Sequence, residues 1–91
     1  MSDARSRIAD FLAAHHTMSL ATMNGTRPWA TSVFYCHDDD LNLYFLTDPK
    51  TWHGQDVDDV GHIAITINED CKSWSAIQGL QIAGKAFRLS D

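Results

Sequence analysis

Only one segment between the strand-like runs of this chain is long enough to form a crossover helix. A parallel βαβ sheet, which needs such a helix for each pair of strands, is therefore excluded. The runs are Met18–Met23, Trp29–Cys36 (WATSVFYC), Leu41–Thr47 (LNLYFLT) and His62–Asn68 (HIAITIN). Each either alternates large and small side chains or is rich in β-branched and aromatic residues. Asn24-Gly25 ends the first and suits a tight hairpin turn, His37-Asp38-Asp39-Asp40 ends the second, and Asp48-Pro49 ends the third. Proline cannot donate to a sheet but fits the first turn of a helix, so a helix of about ten residues is expected from Pro49, ending near Gly61.

Upstream, Ile8, Phe11, Leu12 and His15 recur at helical spacing and predict an amphipathic helix over 3–15. Downstream, Glu69-Asp70-Cys71-Lys72 reads as a polar turn. Ser73 to Leu89 is strand-like for longer than one ordinary strand, with Gly79 and Gly84 as places for a bulge or bend. The order is helix, three meandering strands, short helix and at least two more strands. This is a mostly β chain with helices, and it predicts a small antiparallel β-barrel. A closed barrel wants more strands than these, so either the last segment serves as two or an open edge is covered by a second chain.

At 91 residues the chain makes a single domain, 1–91, with no linker or internal repeat. Area scaling gives about 5,300 Å² exposed when folded, out of about 14,800 Å² unfolded, which leaves a thin core. With 44% apolar and 21% charged residues the composition is globular. Seven Lys+Arg against twelve Asp+Glu is the wrong balance for gripping a polyphosphate backbone, so no nucleic acid partner is expected. No apolar run could span a bilayer and MSDARSR lacks a secretory signal, so no membrane partner is expected and the cytoplasm is the expected address. Cys36 and Cys71 are read as reduced thiols.

The stretch Thr47-Asp48-Pro49-Lys50-Thr51-Trp52-His53 carries the most chemistry. A strand gives way to a helix whose first-turn amides coincide with a lysine and two hydroxyls, which suits a terminal phosphate; Asp48 could instead cap that helix itself. Other clusters read as structural. His15 and His16 lie on different sides of a helix end, and Cys36 and His37 would face opposite ways in a strand, so neither pair makes a metal site or a nucleophile–base couple. Asp38–Asp40, Asp56, Asp58 and Asp59 lack the spacing of a calcium loop.

WATSVFY, LYFLTDPKTWH, the isoleucine-rich strand and IQGLQIAGKAFRL, in that order and spacing, resemble the FMN-binding split-barrel superfamily of pyridoxamine 5′-phosphate oxidase-like proteins, nearest to an uncharacterised bacterial branch. The resemblance covers about residues 8 to 91. It implies a split β-barrel of antiparallel strands with an N-terminal helix and one short inserted helix. It also implies FMN as cofactor, with deazaflavin, haem or no cofactor as alternatives within the superfamily. Carried over by position, it places Thr47, Lys50 and Thr51 at the flavin phosphate and Trp29, Thr31, Ser32 and Val33 beside the ring. Gln78 and Gly79 would approach from the facing wall. Taken by themselves, Trp29, Trp52 and Trp74 each read first as core or interface packing, with Trp74 the most plausible exception that could stack on a flavin.

Trp52 stands where relatives often carry an arginine or lysine, and relatives usually continue through another helix and further strands. The implied protein is a homodimer, a flavin-dependent oxidoreductase acting on a nicotinamide or small-molecule partner. The rival reading is a cofactor-free dimer serving as a binding or scaffold module. The chemistry would belong to the flavin, so no catalytic side chain is required.

Overall fold

The computed structural model describes residues 3–57 and 60–89. Helix α1 spans Ala4–Ala14 and is capped by Asp3, whose carboxylate accepts from the Ser6 N–H at 2.8 Å. Strands β1 (Thr17–Asn24) and β2 (Arg27–Phe34) form a hairpin in unbroken register from Thr17↔Phe34 to Asn24↔Arg27. Its turn is possible because Gly25 takes φ +60°, which a side chain disfavours. Strand β5 (Val60–Asn68) adds to the other edge of β1, and β6 (Gly79–Phe87) adds to β5, both antiparallel. The sheet order is β2-β1-β5-β6, and a two-stranded sheet of β3 (Cys36–His37) and β4 (Leu43–Tyr44) stands apart.

This is the mostly antiparallel architecture of a split β-barrel with an N-terminal helix and one short inserted helix. Its core lies on one face of the large sheet. Met18 and Leu20 of β1 meet Ile65 and Ile67 of β5 and Leu12 of α1, all buried, with Phe11, Val33, Tyr35, Leu43, Phe45 and Ile82 packed around them. Tyr35 pins the helix to the sheet: its hydroxyl donates to the Leu12 carbonyl at 2.7 Å and its N–H to the His16 carbonyl at 3.0 Å. Burial pushes the Tyr35 phenol up. Among the described residues no helix is long and apolar enough to cross a membrane.

The structure corrects several boundaries. The second strand stops at Phe34 rather than running to Cys36, because Tyr35 turns inward to α1 and Cys36–His37 pairs instead with Leu43–Tyr44. The third run therefore joins no three-stranded meander, and only two of its residues form a ladder. Asp38 organises the loop between them: its carboxylate accepts from the N–H groups of Asp40 and Asn42, from Asn42 Nδ2 and from the Tyr44 hydroxyl.

The inserted helix α2 covers Trp52–Asp56, five residues instead of about ten, because pairing with β6 claims the chain from Val60 onward. Asp58 and Asp59 lie outside the described residues. Before β6 the chain makes a short 3₁₀ turn, Trp74–Ala76, where an early start of the strand was expected. Neither Gly79 nor Gly84 makes a bulge, since the β5–β6 register runs without a break from Val60↔Phe87 to Asn68↔Gly79.

Candidate functional site

Helix α2 packs on the start of β2 through one buried carboxylate. Asp56 accepts from the Thr22 hydroxyl at 2.6 Å and pairs with Arg27 Nη2 at 3.0 Å. Its side chain is 0% exposed against 30% for that of Arg27. The Arg27 guanidinium lies over the Trp52 ring at 3.9 Å, and Trp52 meets Trp29 edge-on at 4.6 Å between centroids. One donor of this cluster, Arg27 Nη1, is buried with no hydrogen-bond partner. An unpaired buried donor of that kind marks a place where an acceptor would be welcome.

The loop before α2 gathers Thr47, Lys50 and Thr51. The hydroxyls of Thr47 and Thr51 are 3.3 Å apart, and Thr47 shares a 2.5 Å hydrogen bond with His53 Nε2. Thr51 caps the helix, accepting from the Gly54 N–H at 3.1 Å while donating its own proton to the Asp48 carbonyl at 2.7 Å. Asp48 also takes the Lys50 N–H on its carboxylate at 2.9 Å. Much of the donor capacity expected of this turn is therefore engaged within the chain. Lys50 is exposed there and brings the turn its positive charge.

Along β2, register separates the residues expected beside a ring. Trp29, Thr31 and Val33 sit opposite the inward-facing Thr22, Leu20 and Met18, whereas Ser32 sits opposite the outward-facing Ser19. One ligand can meet all four only by running along the strand's backbone. The described sheet leaves β2 on its edge, where every second N–H and C=O points outward. On the outer face a shallow trough of about 610 Å³ adjoins it, floored by Ala21, Ala30 and Ala64 and bordered by Met23, Pro28, Trp29 and His62.

Gln78 and Gly79 lie elsewhere. They border a second groove of about 770 Å³ under α1, with Arg7, Phe11, His15 and Glu69. Strands β1 and β5 separate them from β2 within one chain. Trp74 is 91% exposed on its 3₁₀ turn.

Sequence reasoning did not select Arg27, His53 or Asp56. His53 closes the Thr47–His53 stretch, but Arg27 and Asp56 meet only through the docking of α2 on the hairpin. No local pattern announces that contact.

A family model described as pyridoxamine 5′-phosphate oxidase matches residues 4–91. The chain belongs to this family. It is similar to a UPF0306 protein of Cronobacter sakazakii, 30% identical over 84 residues, covering 91% of this chain and 58% of that protein. It is also similar to UPF0306 protein YhbP of Salmonella newport, 32% identical over 88 residues, covering 96% of this chain and 60% of the relative. A UPF0306 protein of Klebsiella pneumoniae is 31% identical over 84 residues, covering 91% of this chain and 57% of its own length. The chain thus spans less than two thirds of the curated relatives it matches. No solved structure matches it.

Proposed function

We propose that this chain is an FMN-binding flavoprotein of the oxidoreductase class that works as a homodimer. The edge of β2 at Trp29 carries the reading: Trp29 touches the ring of Trp52 on the α2 side of the sheet, while the flanking Pro28 and Ala30 border the trough on the other side. A flat apolar trough and a cationic corner thus lie on opposite faces of the sheet and meet across the edge of β2, along which a planar heterocycle with a phosphate tail would run. Lys50 and Arg27 are the two positive charges available for a dianion, and the unpaired Arg27 Nη1 is a donor that fits an oxygen acceptor. Thr47 and Thr51 would orient that corner, while the backbone of β2 from Trp29 to Val33 would serve the ring's polar edge. When bound, FMN supplies hydride or electron transfer; this chain's residues bind it, orient it and keep water off its face. A nicotinamide or another small organic molecule is the proposed reaction partner.

A second reading, a cofactor-free split-barrel dimer acting as a binding or scaffold module, is favoured by the turn at Asp48. There the Thr51 hydroxyl and the Lys50 and Thr51 N–H groups are already satisfied. Titration of the purified chain with FMN, followed by visible absorbance, separates the two. Saturable uptake, or yellow colour on purification, is expected for the first; folded protein that takes up no flavin well above micromolar FMN assigns the second. The same spectra distinguish a deazaflavin or a haem.

A further inference from the structure

We propose that His53 is a positioning residue that works through the Thr47 hydroxyl, so that a phosphate ester is taken up at this turn together with a proton on the imidazole. The ester is the flavin's in the reading above, on which this inference rests for the identity of the ligand.

The hydroxyl protons of the turn can be placed one by one. Thr51 has one, and it goes to the Asp48 carbonyl at 2.7 Å. Its oxygen also receives the Gly54 N–H at 3.1 Å, so towards Thr47, 3.3 Å away, Thr51 can only accept. Of the two threonines, Thr47 alone still has a proton to place. Its oxygen stands 2.5 Å from His53 Nε2, and both side chains are half-buried.

That contact has two settings. When Nε2 is bare, the Thr47 proton points at the ring, and the hydroxyl offers the outside only lone pairs, which repel a phosphate oxygen. When Nε2 carries a proton, the ring donates to Thr47 and frees the hydroxyl proton for an acceptor. A neutral imidazole can hold its single proton on either nitrogen, whereas an imidazolium has one on both and permits only the second setting. Protonation thus turns Thr47 outward as a donor and brings a positive charge with it.

The neighbouring charges add a reason. Within the turn, α2 and the hairpin it docks on, Lys50 and Arg27 are positive and Asp48 and Asp56 negative. Asp56 is held by Arg27 at 3.0 Å, and Asp48 accepts the Lys50 N–H at 2.9 Å. From the strands beyond come His62 of β5, which borders the trough on the other side of the sheet, and Arg88, just past the Val60↔Phe87 pair. The four charges nearest in the fold therefore cancel before His53 is counted, and an arriving dianion gains most if the imidazole is charged. By linkage, the phosphate and the proton favour each other to the same extent.

The test titrates the full chain with FMN and with riboflavin at about pH 6.5 and about pH 8, which brackets the range where a histidine changes charge, and follows the His53 ring by NMR. FMN should bind at least about fivefold more tightly at the lower pH, and riboflavin equally at both. The sign is diagnostic, because the second ionisation of the phosphate itself, at about pH 6, would favour the higher pH. His53→Gln, whose amide can donate to Thr47 at either pH, should flatten the FMN profile and leave riboflavin unchanged. Thr47→Val should weaken FMN and not riboflavin; folding of both variants is checked by circular dichroism. If His53→Gln does not fold, Thr47→Val and the ring signals of the parent chain decide. FMN affinity that is level or rises with pH, a His53→Gln variant that keeps the parent profile, or a Thr47→Val variant that binds FMN as the parent does would overturn the role of His53 and leave the flavin reading standing. A folded chain that takes up no flavin refutes that reading instead. The inference then stands if inorganic phosphate raises the pH at which the His53 ring loses its proton, and falls if phosphate leaves that pH unchanged.

Discussion

The guanidinium of Arg27 lies 3.9 Å over the ring of Trp52, so a positive charge sits against the tryptophan that opens α2. It also neutralises the fully buried Asp56 carboxylate. Arg27→Gln should lower unfolding stability by about 1–3 kcal/mol in urea titrations, a range reduced because the arginine is partly exposed. Arg27→Lys should recover only part of it, since an ammonium cannot stack on the indole and reach the carboxylate with a planar fork.

Lys50 is exposed at the turn, so its removal should leave the fold intact. Lys50→Ala should weaken FMN by about 1.5–3 kcal/mol, roughly ten- to 150-fold, and riboflavin much less, because only FMN carries the phosphate. Parallel titrations with the two ligands measure this, and an equal loss for both would show that the lysine has another role.

Gly54 holds the turn closed. A Cβ there would stand 2.3 Å from the Asp48 carbonyl and 2.9 Å from Thr51 Oγ1, whereas a Cβ on Gly84 would meet nothing within 4 Å. Gly54→Ala should therefore cost about 1–3 kcal/mol and disturb the Thr47–His53 contact, visible in the histidine NMR signals. Gly84→Ala should be neutral or mildly stabilising.

The Asp38 carboxyl is held down to about 2, first by the Asn42 side chain and then by the Asn42 N–H, the Tyr44 hydroxyl and the Asp40 N–H. The same contact raises the Tyr44 phenol. A depressed acid stabilises the folded loop above its unfolded value near 4 and loses that contribution as the pH falls towards 2. NMR signals of residues 38–44 should shift within that window. Asn42→Ala should move the transition upward, and Asp38→Asn should abolish it.

The helix and the hairpin were legible because Ile8, Phe11 and Leu12, and then Asn24-Gly25, obey local rules of spacing and turn chemistry. The family likeness was legible too, in the order of several short runs. Less visible were the breaks. Tyr35 belongs by composition to the strand before it, yet its hydroxyl is drawn to Leu12, a partner 23 positions away. The length of α2 depends on a competition with β6, whose residues come much later in the chain. The corner around Arg27 was hidden for the same reason, since its meaning arises only where Asp56 and Trp52 arrive from another element.

The two-residue turn at Gly25 settles a question of parity. Alternate side chains on β2 point to opposite sides, and the closing pair Asn24↔Arg27 decides which set goes where. A connection one residue longer would send Ala30 and Ser32 into the interior and push Thr31 and Val33 out to water. The same amino acids would then make a poorer core and a stickier exterior, so the smallest loop in the protein governs how the molecule meets its neighbours.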